Sequence, residues 1–288
     1  MTQLVQRLRQ SRVLIVIGLI TPALLWLILF FAVPLVIVFI YSFLTRGIYG
    51  QVIWDFNLGN YARVFDSLYL RIFVRSLRIA GLTTLLCLAV GYPLGYFIAR
   101  RGPQRRGLLL LLLVIPFWTN FLVRTYAWRV ILSNEGPINS LLMSLGLTNR
   151  PVPMLFTEFA VLIGLVYSYL PEMVLPIYAA VERLDFSLVQ AANDLYANDF
   201  QAFRRVILPL TLPGILAGSL LVFIPCLGAF VTPDILGGAR TVMLGNLIQQ
   251  QFLTARDWPF GSAVSFVLMA VMLIGTLIYF RQGGRASV

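Results

Sequence analysis

The sequence predicts an all-α polytopic membrane protein with six transmembrane helices and both termini cytoplasmic. Three observations carry that prediction. Of 288 residues, 59% are hydrophobic and 11% charged, whereas a soluble domain covers its core with roughly 25% charged residues. Six runs reach the about 20 apolar residues that a helix needs to cross a roughly 30 Å hydrocarbon core. Arginines gather at alternate ends of these runs, the bias that sets orientation in membranes.

The first run, about 14–42, follows the basic stretch MTQLVQRLRQSR. It is far longer than the roughly 7–15 apolar residues of a signal peptide, and no A-x-A site closes it. It is therefore expected to stay as a span behind a cytoplasmic segment, 1–13. The second, about 74–99, leads into the basic turn RRGPQRRG at 100–107. The third to sixth lie at about 108–131, 157–181, 208–231 and 262–280, making one transmembrane domain over 14–288. Outer loops at about 43–73, 132–156 and 232–261 carry turn signals such as NEGP and LGGAR. Twelve arginines and four acids fall on the side of the termini, against ten and seven elsewhere. That excess makes the terminal side, and the insert at 183–207, cytoplasmic.

Absent residue types exclude several chemistries. All 22 basic residues are arginine and there is no histidine. A His-based triad, a histidine metal site, a lysine Schiff base and a GxxxxGK[ST] phosphate loop are thereby ruled out. Any ATP used must be bound by another subunit. The arginines flank apolar runs rather than forming a solvated basic face, so nucleic acid is not an expected partner. Cys87 and Cys226 each sit in an apolar run, where a buried inert thiol is expected.

One polar stretch interrupts this pattern: SLVQAANDLYANDFQAFRRVILPL, from Ser187 to Leu210. Ser187 and Gln190 have the spacing of a capping box. Leu188, Ala191, Ala192 and Leu195 then form an apolar stripe. Asn198 and Gln201 repeat the cap spacing, followed by Phe200, Phe203, Val206 and Ile207, and Pro209 marks entry to the next span. Two short helices on the membrane face are expected. They suit a lipid interface, a packed connector or a dock for a soluble partner, and periodicity alone leaves these open.

The same residues resemble the EAA loop of ATP-binding-cassette importer permeases: Glu-Ala-Ala, three residues, Gly, nine residues, then Ile-x-Leu-Pro. Ala191, Ala192, Leu208 and Pro209 match, with Gln190 in place of the glutamate and Tyr196 in place of the glycine. Beyond the loop, GYPLGYFIARR, PFWTNFLVRTYAW, LPEMVLPIYAAVERLD and RDWPFGSA resemble the permease family of spermidine/putrescine importers. The resemblance implies a MetI-like permease fold in a bacterial inner membrane. It implies half of a translocation pore, completed by a second homologous permease, two ATPase subunits and an extracytoplasmic binding protein. The chain would need no cofactor and do no chemistry itself; ATP and magnesium would be used by the ATPase. Ser187, Gln190, Ala191, Ala192, Leu195, Tyr196, Phe200 and Pro209 would meet that subunit. Iron or phosphonate permeases are the alternatives within the class, and a membrane scaffold the alternative outside it.

Ionisable residues inside a span are costly, so they face protein or water. Glu172, bracketed by Pro171 and Pro176, reads with Tyr169 as a way-station for an ammonium group, or else as the partner of Arg124 or Arg129. Trp118, Thr119, Asn120, Arg124 and Trp128 make the outer half of the third span polar and aromatic, as a path lining or an interfacial belt. Asp234 follows the Pro225, Gly228 and Pro233 interruptions, where it lines an outer mouth or caps the following loop. Asp257 poses the same choice, with a structural turn preferred.

Overall fold

A computed structural model describes residues 12–283. Of the expected segment 1–13, residues 1–11 therefore lie outside the described residues. The chain divides into two compact units, one reaching to Phe65 and including Gln250–Val267, the other comprising Asp66–Gln249 and the residues from Leu268.

The first unit opens with α1 (Arg12–Leu27) and α2 (Val33–Tyr41), joined through a π-helical turn at Ile28–Ala32. Together they supply an apolar helix from Val16 to Tyr41, long enough to span a membrane. A two-stranded antiparallel hairpin, β1 (Thr45–Arg46) and β2 (Val52–Ile53), pairs Thr45 with Ile53, and the short α3 (Gly59–Val64) follows. Asn60 fixes this region because its buried amide donates to the carbonyls of Ser42 and Leu44 at 3.1 and 2.8 Å.

In the second unit α4 (Ser67–Ala99) carries the second span, beginning seven residues before the expected start. The expected third span at 108–131 is not one helix. It is α5 (Pro103–Val114), a 3-10 turn at Ile115–Trp118 and α6 (Phe121–Ile131), bent by 88°. Pro116 lacks an amide hydrogen, and Asn120 caps a new helix by accepting from Leu122 N–H at 2.8 Å. Both features stop α5 from running on. Next come α7 (Pro137–Ser144) and the fourth span, α8 (Glu158–Glu182), capped by Thr157.

The insert holds α9 (Ser187–Asp194) and α10 (Asp199–Ala202); a π turn at Phe203–Ile207 then joins α10 to α11 (Leu208–Gly228). The fifth span is thus continuous from Asp199 to Gly228, whereas Pro209 was expected to mark its start. A proline tolerates this place because the π turn shifts the register: Leu208 N–H bonds to Phe203 C=O, five residues back. A π-helical segment at Pro233–Gly237 precedes α12 (Leu244–Leu253) and the last span, α13 (Trp258–Gly283). Among the described residues, five helices are long and apolar enough to cross a membrane, or six if the bent pair is one span.

Within the first unit Asp257, almost fully buried, pairs with Arg63 at 3.0 Å and accepts from Phe260 N–H at 3.2 Å. Asp257 is therefore the structural turn residue that the sequence favoured.

The second unit is built around α8. Gly91 and Gly95 of α4 lie against Met173, Val174 and Ile177 of α8. Gly214 and Gly218 of α11 lie against the main chain of Pro176 and Met173 on the same helix. Each glycine pair has the four-residue spacing that lets membrane helices approach backbone to backbone. Cys87, Met173, Ile177, Val181, Ile215 and Val222 fill the core between these helices. Both cysteines are buried free thiols, as expected.

Candidate functional site

The insert begins with a correction. Ser187 is the first residue of α9 and not its cap, so the expected Ser187–Gln190 capping box does not form. Asp185 takes that place by accepting from Ser187 N–H at 2.9 Å. Hydrogen bonds from the Ser187 amide and then its hydroxyl hold the Asp185 carboxyl below its ordinary pKa. A carboxylate two residues upstream accepts the same amide that the Gln190 side chain would have met in the expected box, and its charge favours the helix N-terminus.

At the other end of α9, Tyr196 N–H bonds to Asn193 C=O at 2.9 Å and Ala197 N–H to Ala192 C=O at 3.0 Å. These bonds form a Schellman motif whose left-handed position, normally glycine, is Tyr196 with φ +64°. The conformation costs a non-glycine residue about 1–2 kcal/mol. Directly after it the second expected cap is present in full. Asn198 accepts from Gln201 N–H at 2.8 Å, and Gln201 accepts from Asn198 N–H at 3.1 Å.

The two faces of the insert differ. On one, a groove of about 550 Å³ opens between the insert and the end of α4, lined among others by Tyr92, Arg100, Phe186 and Phe203. Arg100 stacks over Phe186 at 4.5 Å, Tyr92 meets Phe203 edge-on, and the Tyr92 hydroxyl lies 3.0 Å from Thr211 Oγ1. Ala202 and Ile207 are buried behind them. Elsewhere Leu195 is 82% exposed, Tyr196 98% and Phe200 69%. Ser187, Gln190, Ala191 and Pro209 are also exposed, while Ala192 is half-buried. The second apolar stripe is thus split: Phe203 and Ile207 anchor the insert, and Phe200 is left open.

The residues expected along a membrane path are not gathered into one site. Tyr169 and Glu172 share α8, and Tyr169 packs against the core around Cys87. The Asp234 segment instead meets α8 at Val161 and Gly164 through Gly237, Thr232 and Leu236. Those contacts lie eight or more residues from Glu172, about 12 Å or more along the axis. Asn120 is committed to its cap, and Trp118 is exposed at the break. Glu172 is exposed and pairs with neither arginine offered by the sequence. Arg124 lies over Phe117 at 4.7 Å, across the bend, and Arg129 faces Phe156 at 5.9 Å.

Three anchoring groups were not singled out from sequence. Arg106 pairs with Glu182 at 2.7 Å, joining the first turn of α5 to the end of α8. Glu158 pairs with both Arg75 and Arg78 of α4. Asp185 could have been found, because Asp-x-Ser is the spacing of an Asx turn; long-range arginine pairs leave no such local signature.

Comparison with known proteins brings these features together. Residues 91–285 match the family described as binding-protein-dependent transport system inner membrane component. The chain is 46% identical to the spermidine/putrescine transport system permease protein PotB of Haemophilus influenzae, over 89% of this chain and 90% of that one. It is equally identical to PotB of Escherichia coli, over 89% and 93%. A chain of the bacterial alginate ABC transporter, solved in complex with an alginate pentasaccharide-bound periplasmic protein, superposes with a TM-score of 0.79. That likeness covers 97% of this chain and 96% of the other at 15% identity, and so bears on fold alone.

Proposed function

The chain belongs to the family of binding-protein-dependent transport system inner membrane components, and we propose that its cargo is spermidine or putrescine. It is a transmembrane permease subunit of an ATP-binding-cassette importer. The observation that carries the cargo reading is the 46% identity to spermidine/putrescine permeases across nine-tenths of both chains. In this reading an extracytoplasmic protein selects the polyamine and hands it over. A second homologous permease completes the pore, and two ATPase subunits use ATP and magnesium on the side of the insert. The insert and both termini are then cytoplasmic, the orientation that the arginine distribution favours.

The mechanism is alternating access. Closure of the ATPases moves α9 and α10, and α11 carries that movement into the helices packed on α8. Glu172, an exposed carboxylate on α8 beside Tyr169, supplies the charge and the aromatic neighbour that a passing ammonium group favours. Trp118, Asn120 and Asp234 stand at the break and beyond the fifth span, toward the opposite mouth.

Two experiments test this. Cells with and without the chain should differ in uptake of labelled spermidine or putrescine; equal uptake with a difference for iron or a phosphonate would remove polyamines and leave the importer class. The wild-type permease should co-purify with an ATPase, and Ala191→Glu, at an exposed position of α9, should break that association. Assembly of the mutant at wild-type affinity would defeat the docking role, and failure of the wild type to bind any ATPase would favour a scaffold.

A further inference from the structure

Tyr196 presents a contradiction within this chain. Its backbone is held at φ +64°, where glycine or asparagine rests more easily, yet its side chain is 98% exposed. A ring packed on none of the described residues cannot repay the backbone strain there. Strain of this kind persists where a function outside the fold uses it.

The surroundings specify what that function meets. Leu195 and Phe200 are exposed on either side of the ring. Asp194 and Asp199, two residues before and three after it, are exposed and make no ion pair among the described residues. Arg204 and Arg205 are exposed farther along the insert, but the charges nearest the ring in the chain are the two carboxylates, which disfavour an anionic membrane surface there. The apolar tip between them complements an apolar slot with a cationic rim on a soluble protein. Tyrosine suits such a slot, since it presents a large amphipathic surface and loses little rotamer freedom on binding.

We propose that Tyr196 is a specificity-determining knob that seats in an apolar, basic-rimmed slot of the importer's own ATPase subunit. Its left-handed backbone is strain retained to present the ring. This rests on the docking role proposed for the insert and adds the residue by which the permease selects its ATPase.

The test uses full-length permease in vesicles, with purified ATPase titrated onto it. Tyr196→Gly should raise the melting temperature of the free permease by a few degrees while weakening ATPase binding about tenfold or more. Tyr196→Phe should keep the wild-type value of both. A gain in stability with unchanged affinity would show the ring idle and overturn the proposal, and so would a loss of stability, which would mean the ring supports its own fold. Ala191→Glu separates the underlying reading: if it too binds normally, the insert is not the dock, and both proposals fall. Because both native cysteines are buried, Tyr196→Cys can carry an environment-sensitive fluorophore alone. Emission shifted to the blue by ATPase supports the slot; emission already shifted in vesicles without ATPase places the residue in lipid and overturns it.

Discussion

The Arg106 guanidinium holds the Glu182 carboxylate at 2.7 Å, tying the first turn of α5 to the last residue of α8. The partners are about one-third exposed at their side chains, so the pair is screened and worth no more than about 1 kcal/mol. Its value is positional, since Asp185 lies three residues later and α9 begins five residues later. Glu182→Gln should therefore change the melting temperature of the permease by only a degree or two. It should nonetheless loosen the insert, read as faster hydrogen exchange over residues 185–195. Equal exchange in mutant and wild type would remove that role.

Asp185 should make the start of α9 acid-sensitive. Its folded pKa is depressed by Ser187, so its contribution is present above the unfolded value of 3.8 and is lost as pH falls through the folded one. Exchange at the first turn of α9, corrected for intrinsic rate, should rise below about pH 4. Asp185→Asn keeps an acceptor without a titrating group and should show no such step.

The glycine contacts on α8 should tolerate almost no enlargement. A Cβ on Gly214 would lie 2.7 Å from the carbonyl oxygen of Pro176. Gly214→Ala should cost about 1–3 kcal/mol through overpacking. Gly107→Ala on α5, where a Cβ meets nothing within 4 Å, should be neutral or mildly stabilising. Thermal unfolding in detergent compares them, and equal melting temperatures would contradict close packing at Gly214.

Asp257→Ala should be a strong destabiliser, removing the partner of Arg63 and the acceptor for Phe260 N–H together. A cost of about 1–3 kcal/mol is expected. Asp257→Asn should recover part of it by retaining an acceptor for the amide.

The Asn120 side chain offers a test between cap and cargo contact. Asn120→Ala should cost about 1 kcal/mol as α6 loses its cap, while Asn120→Asp retains it. Uptake that follows stability in these two variants assigns Asn120 to the bend, whereas loss in Asn120→Asp alone assigns it to the path.

Composition made the spans legible because lipid imposes length and apolarity on every crossing helix. The bend at Thr119–Asn120 was hidden, since Phe117, Trp118 and Phe121 keep the window apolar across it. Spacing identified Asn198–Gln201 as a cap correctly and Ser187–Gln190 incorrectly. The two patterns are alike locally, and only the second had a rival acceptor upstream, Asp185. Tyr196 was legible as the position where the resembled loop pattern has glycine, but its backbone required coordinates. The membrane path was least legible, because Glu172 and Asp234 are brought to different levels of α8 by packing that no local pattern encodes.

The helix from Asp199 to Gly228 has the proportions of a rocker. Gly214, which lies against the main chain of Pro176 on α8, stands 15 residues from one end and 14 from the other, about 22 and 21 Å. With arms this equal, a pivot there neither magnifies nor attenuates. A push of a few ångströms at the Asp199 end would reappear at the Gly228 end with the same size and opposite direction.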